Sequence, residues 1–138
     1  MQQSPTYENV VTEVAAFLEQ RAIAAQAAGI DRGTICIDPG IGFGKTFEHN
    51  LKLLHELDWL ATTGYPILVG TSRKGFLGRI LANAGRDSAP HERDPSTAAT
   101  VALAIAGGAS VVRVHNVGHA LQAARTADAI VRASQRRF

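Results

Sequence analysis

Polar and basic side chains gather directly after three short apolar runs of the sequence. The runs, each predicted to be a β-strand, are Thr34–Ile37, Pro66–Val69 and Ser110–Val114. The side chains that follow or end these runs are Asp38, Ser72, Arg73, Lys74, Arg113 and His115. Because the carboxyl ends of parallel strands meet at one edge of a sheet, we expect these groups to form a single ligand site.

Two glycine-rich loops, Asp38–Thr46 and Gly70–Gly78, supply most of this site. Glycine permits a positive φ and a close approach of the main chain to a ligand. The glycines of the first loop that could serve in this way are Gly40, Gly42 and Gly44. Phe43, which stands between two of them, is expected to form an exposed apolar wall of the site.

The first loop is similar to a phosphate-binding P-loop, but its spacing is wrong. That motif has four residues between its two glycines, whereas three residues separate Gly40 from Gly44. The dinucleotide-binding fingerprint fails as well, because Gly44 comes one residue too early. The histidines also lack metal-ligand spacing to carboxylates or to the cysteine, so no metal site is expected in this chain.

The third strand alternates between apolar and basic residues. With a period of two, Arg113 and His115 share one face, while Val112 and Val114 share the other. A half-buried arginine needs a partner, so either a bound anion or a carboxylate of the protein is expected opposite Arg113. Lys74, close to a helix start, could likewise serve an anion or a carbonyl oxygen.

The elements that position these loops follow the order helix, then three strand–loop–helix units. Helical spacing and capping residues predict the segments Ser4–Gly29, Thr46–Gly64, Ser96–Ala106 and Val117–Ala133. Helices between short apolar strands indicate parallel pairing with right-handed crossovers. Since a complete (β/α)8 barrel needs about 250 residues, these 138 residues predict an α/β domain, 1–138, that is the C-terminal half of a TIM barrel.

Composition excludes several classes of function. The chain is 46% hydrophobic and 19% charged with a net charge of +2, which is ordinary for a globular protein and gives no basic surface for nucleic acid. No apolar run approaches the ~20 residues of a membrane span. Cys36 is the only cysteine, so no intrachain disulfide is expected; we predict that Cys36 is buried in its strand and that the protein is cytoplasmic.

Three motifs in this order resemble the dihydropteroate synthases, the folate-pathway enzymes that sulfonamides inhibit. They are Asp38-Pro39-Gly40-Ile41-Gly42-Phe43-Gly44-Lys45, then Ser72-Arg73-Lys74, then Arg113-Val114-His115. The resemblance implies a TIM barrel that joins 6-hydroxymethyl-7,8-dihydropterin diphosphate to 4-aminobenzoate and releases diphosphate. Asn116 departs from the pattern, because the family often has Asp at that position.

The same resemblance implies roles for single residues. Asp38 would hydrogen-bond the pterin ring, and Lys74 would contact both the pterin and the aminobenzoate. Phe43 and Ser72 would help to form the aminobenzoate pocket. The full set of candidate substrate-binding residues is Asp38, Gly42, Phe43, Lys45, Ser72, Arg73, Lys74, Arg113 and His115. The candidate catalytic residues are Lys74, Arg113 and His115, of which the last two would bind the diphosphate.

The resemblance also implies what this chain lacks. The family's first four strands complete the pterin pocket, so we expect little or no synthase activity from this chain alone. Mg²⁺ is expected to assist the diphosphate, with its ligands in the other half of the barrel. A half-barrel exposes strand edges and an apolar face, so self-association into a homo-oligomer is expected.

Two other functions remain open at this point. One is the pterin-binding module of a methyltransferase, although that chemistry has no diphosphate for Arg113 and His115 to hold. The other is a non-catalytic fragment whose role is assembly. Binding of a pterin, and its competition by diphosphate, would separate these alternatives from the synthase.

Overall fold

The structure is a computed structural model that describes residues 6–135. The helices are α1 (Val10–Ala27), α2 (Phe47–His55), α3 (Leu57–Ala61), α4 (Gly75–Asn83), α5 (Asp94–Ala106) and α6 (Val117–Gln135). The strands are β1 (Leu68–Val69) and β2 (Val111–Val112). Short 3-10 turns span Arg32–Thr34 and Pro90–Arg93. Among the described residues no helix has both the length and the hydropathy of a membrane span.

The two strands pair in parallel, with Leu68 opposite Val111 and Val69 opposite Val112. Helices α4 and α5 connect them, which confirms the predicted α/β class with parallel pairing. One of the three predicted strands is not shown in the described part of the chain. The segment 34–37 contributes an isolated parallel bridge between Ile37 and Ile67 instead of a strand.

Two prolines explain why this pairing stops after one bridge. The Ile37 N–H donates to Pro66 O at 2.9 Å, and the Leu68 N–H donates to Ile37 O at 2.8 Å. The next parallel hydrogen bonds in either direction would need the N–H of Pro66 and of Pro39, and proline has none. Thr34 is also unavailable, because it belongs to the 3-10 turn that the Asp31 side chain caps.

Cys36 is exposed, which contradicts the prediction that it is a buried strand residue. Its neighbour Ile37 carries the buried face of the segment, with 3% of its surface exposed, so Cys36 turns to the opposite face. The Cys36 thiol donates to Pro66 O at 3.2 Å. Partial burial, followed by the nearby Asp38 carboxylate, raises the pKa of this thiol.

Capping side chains fix the helix ends around the loops. The predicted start of the first helix at Ser4 and Pro5 lies outside the described residues, and α1 begins at Val10 with Asn9 as its cap. Thr46 caps α2 as predicted, accepting from the His49 N–H at 3.2 Å. Asn116 caps α6, accepting from the His119 N–H at 3.3 Å.

The core lies mainly between β1 and the helices α1 to α4, and Ala104 of α5 is also buried in it. The predicted helix 46–64 is broken at Glu56 into α2 and α3, and together these two helices bury their leucines. The apolar side chains with at most 2% of their surface exposed include Leu53, Leu57, Leu60, Ile67, Val69 and Leu77. Each contributes about 1.5–3 kcal/mol by leaving water, which makes this core the rigid support of the loops.

Candidate ligand-binding site

A cleft of about 620 Å³ lies at the carboxyl ends of β1 and β2. Six of the predicted site residues line it together, namely Phe43, Ser72, Arg73, Lys74, Arg113 and His115. Asp38 and Lys45 line a neighbouring cavity of about 560 Å³ beside α1. The structure therefore gathers the predicted residues at one edge of the sheet, on two adjoining cavities.

Asn50 holds the first glycine-rich loop in place. It is buried in α2 with 3% of its surface exposed. Its Oδ1 accepts from the Gly42 N–H at 2.6 Å, and its Nδ2 donates to Thr46 O at 2.7 Å. Sequence reasoning missed this residue. The available signal was a polar side chain four residues after a helix cap, among leucines that form the buried face.

Asp38 begins the first loop with a turn of its own. Its Oδ1 accepts from the Gly40 N–H at 2.8 Å, and the intervening Pro39 is buried. The other carboxylate oxygen, Oδ2, has no hydrogen bond to any described residue. Asp38 therefore offers one free acceptor at the mouth of the loop, next to two lysines.

Lys45 folds back over the loop that contains it. Its Nζ donates to Gly40 O at 3.3 Å and to Phe43 O at 3.2 Å. Burial lowers the pKa of Lys45, and the attraction of Asp38 opposes that shift. In this conformation Lys45 supports the loop from within.

Lys74 joins the second loop to the first. Its Nζ donates to the backbone carbonyl of Ile41 and lies 4.3 Å from the centroid of the Phe43 ring. Burial lowers the pKa of Lys74, Asp38 raises it, and the positive charges of Arg113 and Lys45 lower it further. A partly desolvated lysine with a carboxylate nearby suits the binding of a polar ligand at the junction of the loops.

Arg73 turns away from solvent toward a carboxylate of the protein. It adopts a positive φ of 61°, and its guanidinium binds Asp94 with Nε to Oδ1 at 2.8 Å and Nη2 to Oδ2 at 3.0 Å. These hydrogen bonds, together with one from Asn116, hold the pKa of Asp94 far below its usual range. Of the two candidate site arginines, Arg73 is thus the one that pairs with a carboxylate of the protein, and its predicted contact with substrate stays a prediction.

Arg93 is a second residue that sequence reasoning missed. Its Nη1 donates to Arg73 O at 3.1 Å, and its Nη2 donates to Ser88 O at 2.7 Å. Arg93 therefore ties the polar segment 85–93 to the backbone of the second glycine-rich loop. A single arginine in a polar stretch carries no sequence signal for this contact.

Arg113 presents its guanidinium to the cleft. Its backbone N–H continues the sheet by donating to Val69 O at 3.0 Å, and its side chain lies against Gly70, where an added Cβ would be 3.2 Å from Nη2. Arg113 and His115 are exposed, while Val112 and Val114 are half-buried, as the alternation predicts. Across residues 6–135 no carboxylate pairs with Arg113, so its charge is available to an anion.

Ser72 and His115 meet at the floor of the cleft. The Ser72 Oγ lies 2.8 Å from the His115 Nδ1 and accepts from the His115 backbone N–H at 3.1 Å. Ser72 is buried, whereas His115 is exposed. The cleft thus combines a hydroxyl and an imidazole with the cations Lys74 and Arg113, a set that suits an anion attached to a polar group.

Comparison with known proteins gives a consistent result. The profile of a family described as "Pterin binding enzyme" matches residues 1–115. The dihydropteroate synthase of Mycobacterium leprae is 48% identical over 128 residues, which are 92% of this chain and 45% of the relative. The chain therefore spans about half the length of the curated relatives that it matches.

Solved structures of the same enzyme are similar in fold. A Yersinia pestis dihydropteroate synthase with a sulfonamide drug has a TM-score of 0.88 at 34% identity, covering 96% of this chain and 46% of the other. The Xanthomonas albilineans enzyme with 7,8-dihydropteroate has a TM-score of 0.84 at 38% identity, covering 100% and 50%. With 4-aminobenzoic acid it has a TM-score of 0.83 at 39% identity, covering 97% and 46%.

Proposed function

The chain belongs to the pterin-binding enzyme family, and we propose that it forms one side of the active site of a dihydropteroate synthase. The reaction would join 6-hydroxymethyl-7,8-dihydropterin diphosphate to 4-aminobenzoate and release diphosphate. The observation that carries the proposal is the cleft in which Ser72, Lys74, Arg113 and His115 converge. The 7,8-dihydropteroate and 4-aminobenzoic acid in the Xanthomonas albilineans structures support these substrates.

The geometry supports a pterin end at the first loop. Asp38 has a free Oδ2 beside Lys74 and Lys45, and a carboxylate suits the adjacent N–H donors of an aminopyrimidine edge. Lys74 adds a donor whose charge Asp38 favours. Phe43, with 54% of its surface exposed, offers the apolar wall that an aromatic ring needs.

The opposite end of the cleft suits the diphosphate. Arg113 lacks a carboxylate partner among the described residues, and His115 stands on the same face of the strand. In the proposed reaction the amine nitrogen of 4-aminobenzoate bonds to the pterin methylene carbon as the carbon–oxygen bond breaks. The diphosphate leaves with the electron pair, and the amine loses one proton. Cations at the leaving oxygens stabilise the charge that develops there.

Mg²⁺ was expected to assist the diphosphate. Within residues 6–135 no three side chains of His, Cys, Asp or Glu cluster closely enough to hold a metal ion. The described residues therefore assign no ligand set of their own to Mg²⁺, whose protein ligands the family resemblance would place in the other half of the barrel. A magnesium ion that accompanies the diphosphate remains a proposal without assigned ligands.

We propose further that the protein is cytoplasmic and self-associates. One cysteine leaves no intrachain disulfide, which suits a reducing compartment. Helices α5 and α6 share an apolar groove of about 440 Å³ whose rim includes Leu103 and Ile130, exposed by 65% and 67%. Light scattering at micromolar concentration is expected to show a homo-oligomer, and a monomer would contradict this part of the proposal.

The function is tested by turnover and by binding. Because the chain spans about half the length of its relatives, the 138 residues alone are expected to show little or no synthase activity with both substrates. Rates like those of an intact synthase would contradict this.

Calorimetry is expected to detect binding of inorganic pyrophosphate at the cleft. Arg113→Ala should weaken that binding about tenfold or more, whereas Arg125→Ala, on the exposed side of α6, should not.

The calorimetric experiment also separates the alternatives. Pyrophosphate binding that is lost in Arg113→Ala supports a site for a diphosphate leaving group. Binding of a pterin that pyrophosphate does not affect would favour a methyltransferase module. Absence of binding by either compound would favour a non-catalytic role in assembly.

A further inference from the structure

The hydroxyl of Ser72 has few possible partners, and this restricts where its proton can lie. The Oγ carries one proton and two lone pairs. One lone pair accepts from the His115 backbone N–H at 3.1 Å. The His115 Nδ1, at 2.8 Å, is the other hydrogen-bond partner of this oxygen among residues 6–135.

The two possible arrangements of the Ser72–His115 pair are not equivalent. If Nδ1 carried a proton and donated to Oγ, both lone pairs would be used and the hydroxyl proton would need another acceptor. No described residue supplies one, so that proton would depend on solvent in the cleft that Ser72 lines, although only 7% of the residue surface is exposed. For a hydroxyl so largely shielded from water, the internal acceptor Nδ1 at 2.8 Å is favoured over solvent. The remaining arrangement has Ser72 donating to Nδ1.

We propose that Ser72 is a positioning residue that selects the tautomer of His115, placing the proton of the neutral ring on Nε2. The proposal rests on the proposed function only where it names the ligand that the Nε2–H would bind. Nε2 lies on the side of the imidazole opposite Nδ1 and has no hydrogen bond to a described residue. It is left to the cleft, which Lys74 and Arg113 also line.

The consequence concerns how the imidazole binds an anion. With Nδ1 held as an acceptor, the neutral ring still donates through Nε2. His115 therefore needs no second proton to donate to a phosphate oxygen beside Arg113. The hydrogen bond from the His115 backbone N–H to Ser72 Oγ also restricts the orientation of the ring, because Oγ binds the backbone N–H and Nδ1 of the same residue.

The test is nitrogen-15 NMR of the 138-residue chain at about pH 8.5, roughly two units above the ordinary imidazole pKa. Long-range couplings between the protons on the ring carbons and the ring nitrogens identify which nitrogen carries the proton. Comparison with the His115→Gln variant assigns the signals of His115. His55 is exposed and its ring has no hydrogen bond to a described residue, so it reports the mixture of tautomers of an unconstrained ring. His115 is expected to show the Nε2–H form alone.

Two variants complete the test. Ser72→Ala should give His115 the same tautomer mixture as His55, and Ser72→Thr, which keeps the hydroxyl, should restore the single form. A proton on Nδ1 in the unmodified chain overturns the proposal, as does an unchanged spectrum in Ser72→Ala. The measurement on the unmodified chain decides the matter even where a variant fails to fold.

Inorganic pyrophosphate separates this proposal from the proposed function. If the diphosphate end is assigned correctly, pyrophosphate should shift the Nε2 resonance of His115 and leave its tautomer unchanged. If the tautomer is as proposed but pyrophosphate shifts nothing, the positioning role of Ser72 is supported and the diphosphate role of His115 is overturned.

Discussion

The Lys74 ammonium lies 4.3 Å from the centroid of the Phe43 ring, so a side chain of the second glycine-rich loop rests on the first. The same nitrogen donates to Ile41 O. Between these two contacts lies Gly42, where an added Cβ would be 2.7 Å from the Lys74 Cδ. The position of Lys74 therefore depends on the backbone of the first loop, whose Ile41 lies 33 residues earlier in the chain.

Replacing Gly42 by alanine is expected to displace Lys74 from the cleft. Gly42 has a φ of +81°, so alanine adds a backbone cost of about 1–2 kcal/mol and also collides with the lysine. Gly44→Ala is the matched control, because Gly44 has a φ of +56° and nothing within 4 Å of an added Cβ. Both variants should lose similar stability in urea, while pyrophosphate affinity should fall more in Gly42→Ala. Equal affinities would contradict the contact.

Asn50→Asp is expected to destabilise the chain by about 1–3 kcal/mol. The aspartate keeps an acceptor for the Gly42 N–H but places a carboxylate oxygen against Thr46 O, to which Nδ2 now donates at 2.7 Å. Asn83→Asp, the same change at an exposed residue of α4, should alter the free energy of unfolding by about 0.5 kcal/mol or less. Urea denaturation measures both, and similar losses would argue against a special role of Asn50.

Asp38→Asn is expected to lower the pKa of both lysines of the site further. The Asp38 charge raises the pKa of Lys74 and of Lys45 against the effect of burial, and asparagine removes that charge while its oxygen can still accept from Gly40. The carbon-13 shifts of the lysine Cε atoms, followed as the pH rises, report these values. Asp58→Asn, at an exposed position, should leave them unchanged. A rise in either pKa would contradict the assigned cause.

Asp94→Asn is expected to lower the free energy of unfolding at neutral pH. It is also expected to reduce how much of that free energy is lost in acid. The folded-state pKa of Asp94 is depressed, so its stabilising effect is complete above the ordinary carboxyl pKa of about 4 and is lost as the pH falls toward the folded value. Thermal unfolding between about pH 7 and pH 3 should show a smaller acid-induced loss in Asp94→Asn than in the unmodified chain.

The control for this pair is Asp128→Asn. Asp128 binds Arg132 at 3.0 Å, but these side chains are 47% and 74% exposed, compared with 12% for Asp94 and 28% for Arg73. An exposed pair contributes little, so Asp128→Asn should leave the acid dependence close to that of the unmodified chain. If both variants reduced the acid-induced loss of stability equally, the Arg73–Asp94 pair would stabilise the chain no more than the exposed pair does.

The sequence was informative where local chemistry decides the outcome. The helix start at Thr46 was predicted correctly because a short polar side chain before an apolar run is typical of a helix cap. The faces of Arg113 and His115 followed from the strand period of two. The convergence of the two glycine-rich loops and the end of β2 followed from two sources. One is that the carboxyl ends of parallel strands meet at one edge of the sheet, and the other is the order of the family motifs.

Other features depend on contacts between distant segments, which no local pattern encodes. The predicted contact of Arg73 with substrate stays a prediction, but no local pattern indicates that its guanidinium also pairs with Asp94, 21 residues later. Arg93 stands in a stretch of polar residues, and its hydrogen bond to the carbonyl of Arg73 depends on how two separate loops pack together. The segment 34–37 has the composition of a strand, but pairing also requires N–H groups on its neighbours.

Pro39 and Pro66 also give the two walls of the cleft unequal stiffness. The second loop leaves the sheet from β1, which is hydrogen-bonded on both sides, whereas the first loop is joined to the sheet by the single bridge at Ile37 and is held elsewhere by side chains such as Asn50. Amide hydrogens of the first loop should therefore exchange with solvent sooner than those that follow β1. A ligand that spans both walls must order the softer one, so part of its binding free energy is offset by that ordering.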